Sequence, residues 1–176
     1  ALVAYAATVK IGDGAEADTR LGPVNNRPQY ERVLDLVADA KSQGYRLAAG
    51  SEPERGPGFF IPVTIVDNPP EESRIVQEEQ FGPVLPLLKF DEIDEAVARA
   101  NASPYGLGGS VWSGSEEGAL EVARRLDTGN IWINGLQYLT PLASFGGQKQ
   151  SGIGVEGGVG GLLEYTVPRT FIRNRA

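Results

Sequence analysis

The sequence contains no cysteine and no histidine. Without cysteine the chain has no disulfides, no thiolate metal ligands and no thiol nucleophile. Without histidine it has no Ser-His-Asp triad and lacks the imidazole that most zinc sites use. These two absences exclude many hydrolases and metalloenzymes, and they predict that this chain holds no metal.

Charge and hydrophobic runs narrow the class of protein further. The 176 residues carry a formal charge of −7, which makes an anionic nucleic acid an unfavourable partner. The longest apolar runs, such as residues 59–66, are far shorter than a membrane span. A chain of this length with 41% hydrophobic residues can close a single core, so we expect a single cytoplasmic domain without a membrane partner.

Helical spacing is clearest after Asn26. That residue is a suitable N-cap, Pro28 fits the first turn and Gly44 provides the stop. The apolar residues that recur between them at helical spacing are Tyr30, Val33, Leu34 and Val37. Further helices are predicted at residues 1–10, at 73–79, from a cap at Asp91, from a cap at Ser113 or Ser115, and at 162–165. The two middle helices are expected to bury Ile93, Ala96, Val97 and Ala100, and Ala119, Val122, Ala123 and Leu126.

Predicted strands alternate with these helices. Runs rich in apolar and β-branched residues predict strands at residues 46–49, 59–67, 84–90, 109–112, 131–133 and 169–173, with a turn over 50–58. The run at 84–90 is almost continuously apolar, which is typical of a strand buried on both faces of a parallel sheet. The alternation predicts an α/β fold of layered strands and helices with a mostly parallel sheet.

Glu79 is the strongest candidate for a binding role. It stands between a predicted short helix and a predicted buried strand, and loops at strand ends are where α/β sites assemble. A carboxylate can accept hydrogen bonds from both hydroxyls of a vicinal diol. The alternative is that Glu78 and Glu79 are solvated charges and that Phe81 is a core residue.

Four stretches carry a family resemblance. They are Gln-Glu-Glu-Gln-Phe-Gly-Pro-Val at 77–84, Asn-Ala-Ser-Pro-Tyr-Gly-Leu at 101–107, Gly-Asn-Ile-Trp-Ile-Asn at 129–134 and Phe-Gly-Gly-Gln-Lys-Gln-Ser-Gly at 145–152. In this order they resemble the C-terminal part of the catalytic domain of the aldehyde dehydrogenase superfamily. The resemblance implies a parent enzyme that oxidises an aldehyde with NAD or NADP through a cysteine thioester and a glutamate base. Nucleophile, base and coenzyme fold are then expected upstream, so this chain contains no catalytic residue.

The same resemblance implies binding roles for four residues. Glu79 would accept hydrogen bonds from the nicotinamide ribose hydroxyls, and Phe81 would lie beside the nicotinamide. Phe145 and Leu139 would line the entrance for a small-molecule aldehyde. The chain would then supply part of a coenzyme site and part of a substrate wall.

Other matched residues are expected to shape the site. Gly146 and Gly147 would allow a close approach of the backbone. Asn134 would organise the loop beside the site, and the equally favoured alternative is a simple turn at the end of a strand. Lys149 is expected to be a solvated charge, and Asn101 to help end a helix.

Three features depart from the family pattern or invite another interpretation. Ser144 and Val155 replace residues that are usually proline and arginine, which changes the local contacts. Residues 152–157 fit the pattern G-x-G-x-x-G, but no strand leads into them and no acidic residue follows Glu164. We therefore predict tight turns there and no dinucleotide fingerprint.

We predict a catalytic-domain portion over residues 1–161 and a tail helix with an oligomerisation strand over 162–176. The tail at 165–172 resembles the family strand that pairs with a neighbouring subunit, which predicts a homo-oligomer; the alternative is pairing within the chain. The predicted function is the C-terminal part of an NAD(P)-dependent aldehyde dehydrogenase, inactive in isolation. The alternatives are a non-catalytic module for oligomerisation or partner binding and, with least support, a cysteine-independent enzyme using Glu78 and Glu79.

Overall fold

The computed structural model describes residues 1–50, 52–53 and 56–174. The chain forms two compact units, Ala1–Lys89 and Phe90–Ala176, whereas composition predicts a single domain. The elements of the first unit are α1 (Leu2–Ala6), α2 (Arg27–Ser42), β1 (Leu47–Ala49), β2 (Thr64–Asp67), α3 (Arg74–Gln77) and β3 (Val84–Leu87). Those of the second are α4 (Ile93–Ala102), β4 (Tyr105–Gly106), β5 (Gly108–Val111), α5 (Glu116–Ala123), β6 (Asn130–Ile133), β7 (Gln148–Lys149) and α6 (Gly158–Leu163).

The first unit is built on α2, whose predicted ends are confirmed. The Asn26 side chain accepts a hydrogen bond from the Gln29 N–H at 2.9 Å, and Gly44 leaves the helix with a φ of 77°. The core combines one face of α2 with residues from the sheet, from α3 and from the segment before β2: Val33, Leu36, Val37, Ala40, Ile61, Val66, Ile75 and Val84. Tyr30 and Leu34 are only partly buried at the edge of this core, so the buried face of α2 is rotated about the helix axis relative to the predicted face.

The sheet of the first unit is short and mixed. β1 pairs antiparallel with β2, and β2 pairs parallel with β3. β2 is shorter than the predicted strand 59–67, which contains Pro62, a residue that cannot donate to a ladder. The prediction that β3 is buried on both faces is wrong, because Leu85 is 49% exposed. Of the predicted turn at 50–58, residues 51, 54 and 55 lie outside the described residues.

In the second unit, α5 connects the parallel pair β5 and β6. Ser115 is the cap of α5, since its Oγ accepts a hydrogen bond from the Gly118 N–H at 3.1 Å. Ala119 and Ala123 are buried as predicted. A second pairing, antiparallel between β4 and β7, joins residues far apart in the sequence.

Helix α4 departs from its predicted cap and buried face. Its N-cap is Glu92 rather than Asp91 and makes no side-chain capping bond. Val97 is buried, but Ile93 is 52% exposed and Ala100 is exposed. Helical spacing marks a face that can be buried, but burial also needs an element that covers it.

The tail also differs from its prediction. Helix α6 begins at Gly158 rather than at residue 162, so the boundary we predicted after residue 161 falls inside the helix. No strand forms at 169–173 within the described part of the chain. A strand needs a hydrogen-bonded neighbour, and Phe171 and Ile172 are 84% and 89% exposed.

The α/β class is confirmed, with three small sheets in the described part of the chain rather than one mostly parallel sheet. Among the described strands, β2 with β3 and β5 with β6 are parallel pairs, whereas β1 with β2 and β4 with β7 are antiparallel pairs. Among the described residues, no helix is long and apolar enough to cross a membrane.

Candidate functional site

The first candidate surface lies in the first unit, between the end of α3 and the start of β3. The backbone becomes extended at Glu78, the residue that follows α3, with φ −98° and ψ 133°. Phe81 then adopts a φ of 49°, in the left-handed region, and its side chain is 75% exposed. The interpretation of Phe81 as a core residue is therefore wrong. The segment presents its aromatic ring to solvent.

The two glutamates at this place differ in their surroundings. The Glu78 carboxylate accepts a hydrogen bond from Arg74 Nε at 2.7 Å and lies 3.5 Å from Arg32 Nη2. The hydrogen bond from Arg74 holds the pKa of the Glu78 carboxyl below its ordinary value. Glu79 is exposed, and its carboxylate forms no hydrogen bond or ion pair with any residue that the structure describes. Glu78 thus serves the fold, whereas the Glu79 carboxylate has no partner among the described residues.

Side chains of α2 hold the backbone of this segment. Gln29 Nε2 donates to the Gln80 carbonyl at 2.5 Å, and Arg32 Nη2 donates to the Glu79 carbonyl at 3.2 Å. Sequence reasoning missed both residues. Gln29 stands 51 residues before the carbonyl that it binds, and Arg32 stands 47 residues before its own. No local pattern in the sequence links groups that are so far apart.

The second candidate surface is a cavity of about 360 Å³ in the second unit, lined in part by Phe145, Gly146 and Gly147. Phe145 is half-buried, and its backbone exchanges hydrogen bonds with Glu156 at 2.7 and 2.8 Å. Leu139 does not line this cavity and is 60% exposed on the loop after β6. The structure therefore does not bring the two residues of the predicted substrate wall into one cavity.

Glycines allow the chain to fold closely on itself around this cavity. A Cβ on Gly146 would lie 2.5 Å from Val155 Cγ1, and one on Gly147 would lie 2.8 Å from Ser151 Cβ. A Cβ on Gly129 would lie 1.8 Å from the Gly146 carbonyl oxygen. At these glycines it is the chain itself that approaches closely.

Asn134 and Asn130 tie loops to strands. Asn134 has a φ of 50°, and its side chain accepts from the Ser113 N–H at 2.8 Å and donates to the Ser113 carbonyl at 3.0 Å. Asn134 thus ends β6 in a turn and ties it to Ser113, and its role beside a site stays a prediction. Asn130, which sequence reasoning missed, donates to the Gly146 carbonyl at 2.9 Å. The signal in the sequence that could have identified Asn130 is its position as a polar residue at the start of an apolar strand.

Lys149 is exposed, as predicted for a surface charge, but it also binds the backbone. Its Nζ donates to the carbonyls of Asn101 and Ser103 at 2.8 and 3.1 Å, at the C-terminal end of α4. A cation there also interacts favourably with the helix dipole. The Asn101 side chain in turn bonds Arg125 and Asp127, which confirms its structural role at the helix end.

Residues 152–157 form turns, as predicted for this glycine pattern. Gly152, Gly154 and Gly157 have φ values of 123°, 88° and 67°. No strand leads directly into the pattern in this described part of the chain. Of the two departures from the family pattern, Val155 lies against Gly146, and Ser144 Oγ donates to the Gly157 carbonyl at 3.4 Å. Among the described residues, no group of acidic side chains is arranged to hold a metal ion.

Comparison with known proteins shows which family the chain is similar to. The sequence model of the aldehyde dehydrogenase family matches residues 1–171. An aldehyde dehydrogenase from a Fusarium species is 43% identical over 150 residues, which are 84% of this chain and 32% of that protein.

Two solved structures show the same similarity in three dimensions. The aldehyde dehydrogenase of Bacillus cereus, in a variant form, superposes with a TM-score of 0.90 at 41% identity, over 94% of this chain and 34% of that one. A betaine aldehyde dehydrogenase variant from Staphylococcus aureus, in complex with NAD+, superposes with a TM-score of 0.89 at 39% identity, over 94% and 35%. The chain thus spans about a third of the length of the relatives it matches.

Proposed function

The chain belongs to the aldehyde dehydrogenase family, and on that premise we propose that it supplies the nicotinamide end of the coenzyme site and part of the aldehyde-binding wall of an NAD(P)-dependent aldehyde dehydrogenase. The observation that carries the proposal is that Glu79 and Phe81, two residues apart, are both exposed, and that the Glu79 carboxylate has no partner among the described residues. The whole enzyme would act on a small-molecule aldehyde in the cytoplasm.

The residues present fit the nicotinamide end of a dinucleotide. The two oxygens of Glu79 match the two hydroxyl donors of a ribose diol. The exposed apolar face of Phe81 offers a flat surface beside which the nicotinamide ring can lie. When bound, the coenzyme supplies a hydride acceptor; the residues of this chain bind and orient it.

On the substrate side, we propose that Phe145 and Leu139, which do not line the same cavity in this chain, each contribute an apolar side chain to the aldehyde wall. Phe145 lines the 360 Å³ cavity, and its backbone is fixed by the pairing with Glu156. Leu139 presents an exposed apolar side chain on a loop anchored by Trp132 Nε1, which donates to the Tyr138 carbonyl at 2.9 Å. Both side chains are apolar, so they favour the apolar part of an aldehyde and leave its identity open.

Oxidation through a thioester needs a thiolate, and the sequence contains no cysteine. We therefore propose that these 176 residues do not oxidise aldehydes by themselves. The check is to mix the purified chain with an aldehyde panel and NAD+ or NADP+ and to follow the absorbance of reduced nicotinamide. Turnover by a chain of verified mass would contradict the proposal.

The coenzyme role is tested separately from turnover. Nicotinamide mononucleotide carries the ribose diol and the nicotinamide ring, and saturation-transfer NMR detects weak binding to the chain. We expect Glu79→Gln to weaken this binding about tenfold, since hydrogen bonds to a charged group contribute about 1.5–3 kcal/mol. Glu117→Gln, at an exposed glutamate of the second unit, is the matched control. Equal affinity of the Glu79→Gln variant and the native chain would refute the assignment.

A second candidate function is a non-catalytic module for oligomerisation or partner binding. The observation that favours it is the exposed apolar tail, where Tyr165, Val167 and Ile172 are each about 90% exposed. Through this tail we infer pairing with a second copy of the chain, giving a homo-oligomer. The two candidate functions are compatible, because an enzyme subunit can also oligomerise through its tail.

A further inference from the structure

We propose that Asn134 and Gly135, which follow β6, form a site of covalent modification at which the asparagine amide is lost by deamidation. The fold fastens the reacting amide to Ser113, so the reaction proceeds only when this contact opens. The site does not depend on the coenzyme and aldehyde roles proposed above. It gives the chain a chemical change that accumulates with time and needs only water.

The reaction joins two adjacent residues. The backbone nitrogen of Gly135 attacks the side-chain carbonyl carbon of Asn134, and a carbon–nitrogen bond forms between them. The amide nitrogen of the side chain leaves as ammonia and takes the proton of the attacking nitrogen. Water then adds to either carbonyl carbon of the cyclic imide and breaks its bond to the ring nitrogen, which gives aspartate or isoaspartate. No electrons are transferred, so the reaction needs no oxidant or reductant.

The sequence provides a favourable nucleophile at this asparagine. Asn134 is the only asparagine of the sequence that precedes a glycine. Glycine has no Cβ to hinder the approach of its nitrogen, and its backbone adopts conformations that other residues avoid. Asn68, in contrast, precedes a proline, whose nitrogen carries no hydrogen, and Asn130 precedes a β-branched isoleucine. Residue type alone therefore singles out Asn134.

The structure leaves this nucleophile accessible. The ladder between β5 and β6 ends with the N–H of Asn134, which donates to the Val111 carbonyl at 2.9 Å. The N–H of Gly135 comes next and donates to no residue that the structure describes. Asn134 is also exposed, so water reaches the amide. Neither the sheet nor burial protects the pair.

The electrophile, by contrast, is fastened by two hydrogen bonds. Asn134 Oδ1 accepts from the Ser113 N–H at 2.8 Å, and Asn134 Nδ2 donates to the Ser113 carbonyl at 3.0 Å. The amide group must rotate away from Ser113 before the Gly135 nitrogen can reach its carbon, so both bonds must break. Two hydrogen bonds of ordinary strength suppress such an open conformation about ten- to a hundredfold.

The products cannot restore the contact with Ser113. An aspartate carboxylate has no N–H to donate to the Ser113 carbonyl and places a negative charge against it. Isoaspartate also adds a carbon atom to the main chain at the point where the loop after β6 begins. The modification thus removes the tie between the segments that follow β5 and β6.

The test measures the loss of amide at each asparagine of the whole 176-residue chain, by mass spectrometry of its peptides. The chain is incubated at mildly alkaline pH, either folded in buffer or unfolded in guanidinium chloride. In the unfolded chain we expect Asn134 to react ahead of every other asparagine. In the folded chain we expect Asn134 to react about ten- to a hundredfold more slowly than in the unfolded chain.

Asn101 is the matched internal control. Its side chain also makes two hydrogen bonds to the backbone, to the Arg125 carbonyl at 2.7 Å and from the Asp127 N–H at 2.9 Å. It precedes an alanine rather than a glycine. We therefore expect Asn101 to react more slowly than Asn134 in the unfolded chain, where neither side chain is fastened.

Gly135→Ala tests the nucleophile directly. A Cβ on Gly135 would lie 3.7 Å from the Ile133 carbonyl oxygen, an ordinary contact, so the variant keeps the fold. In the unfolded variant the rate at Asn134 should fall to that of Asn101, since both asparagines then precede alanine. An unchanged rate at Asn134 would overturn the assignment of Gly135 as the nucleophile.

The comparison of folded and unfolded chains tests the contact with Ser113. Suppression weaker than about tenfold would show that the two hydrogen bonds do not control the reaction. Suppression stronger than about a hundredfold would show that the amide does not open by loss of these bonds alone, and it would also overturn the proposal. So would a rate at Asn134 in the unfolded chain that does not exceed that of Asn101.

Discussion

Glu78 and Glu79 are adjacent, carry the same side chain and have opposite environments. Glu78 is paired with the guanidinium groups of Arg74 and Arg32, whereas Glu79 is exposed. A run of two glutamates in the sequence does not say which one the fold uses, because both have the same capacity to accept hydrogen bonds. The choice depends on where α2 and α3 place their arginines.

This difference predicts the pH dependence of stability. Glu78 has a pKa below its ordinary value of 4.5 in the folded chain, so the unfolded state binds more protons and stability falls as the pH falls. The contribution of Glu78 to stability is complete above its ordinary pKa and is lost as the pH falls through its lowered pKa. We expect the free energy of unfolding of Glu78→Gln, measured with urea, to decline less steeply than that of the native chain as the pH falls from about 5 to about 3.

The neighbouring glutamate provides the control for this experiment. Glu79→Gln removes a carboxylate that has no ion pair with the described residues, so it should retain the native decline. Because Glu78 has a side chain that is 35% exposed, solvent screens the interaction, and the slope is the quantity to compare. Coinciding slopes for the native chain and Glu78→Gln would show that the ion pair does not act as inferred.

At the scale of elements, separated stretches of the sequence meet. The stretch at 101–107 contains β4, which pairs with β7 in the stretch at 145–152. Lys149, in β7, reinforces that pairing because its Nζ donates to the Asn101 carbonyl at the end of α4. Ser151 Oγ accepts a hydrogen bond from the Gly106 N–H at 2.9 Å. The motif that carries Phe145 is thus held in part by another motif. Each of these stretches has a structural role in addition to any role in binding.

The entry into β6 is the tightest of these contacts, and it predicts a severe variant. In Gly129→Ala the new Cβ would lie 1.8 Å from the Gly146 carbonyl oxygen, so strand and loop must separate. We expect a loss of at least about 3 kcal/mol in the free energy of unfolding, at the upper end of overpacking costs. Urea denaturation followed by tryptophan fluorescence measures it, because Trp132 lies in β6.

Gly114→Ala is the matched control for this variant. No atom lies within 4 Å of a Cβ built on Gly114, and the same substitution there should change the free energy of unfolding by less than about 0.5 kcal/mol. Similar stabilities of Gly129→Ala and Gly114→Ala would mean that β6 and the loop are free to separate without cost.

At the scale of the whole molecule, the exposed tail predicts self-association. Val167, Phe171 and Ile172 expose most of their apolar surface, and association removes such surface from water. We expect the native chain to elute from a sizing column as an oligomer at micromolar concentration. A chain lacking residues 165–176 should elute as a monomer.

A milder variant separates the tail contact from a general effect of truncation. Phe171→Asp keeps the full length and places a charge on the apolar tail, so it should also shift the equilibrium towards monomer. Thr166→Asp adds the same charge at an exposed polar residue of the same tail and serves as its comparison. Monomeric behaviour of the native chain would count against both the homo-oligomer and the module.

The sequence alone determined the α/β class, the cap of α2 at Asn26 and the alternation of helices and strands. It also determined the family resemblance and the absence of a thiol nucleophile. These properties follow from residue type and short-range spacing, which the chain carries whatever its tertiary fold. Only the tertiary structure decided that Glu78 is paired while the Glu79 carboxylate has no partner among the described residues, that Gln29 donates to the Gln80 carbonyl and that Lys149 binds carbonyls. It alone divided the chain into two compact units at Lys89. Each of these depends on contacts between residues far apart in the sequence, and local spacing contains no information about which distant groups will meet.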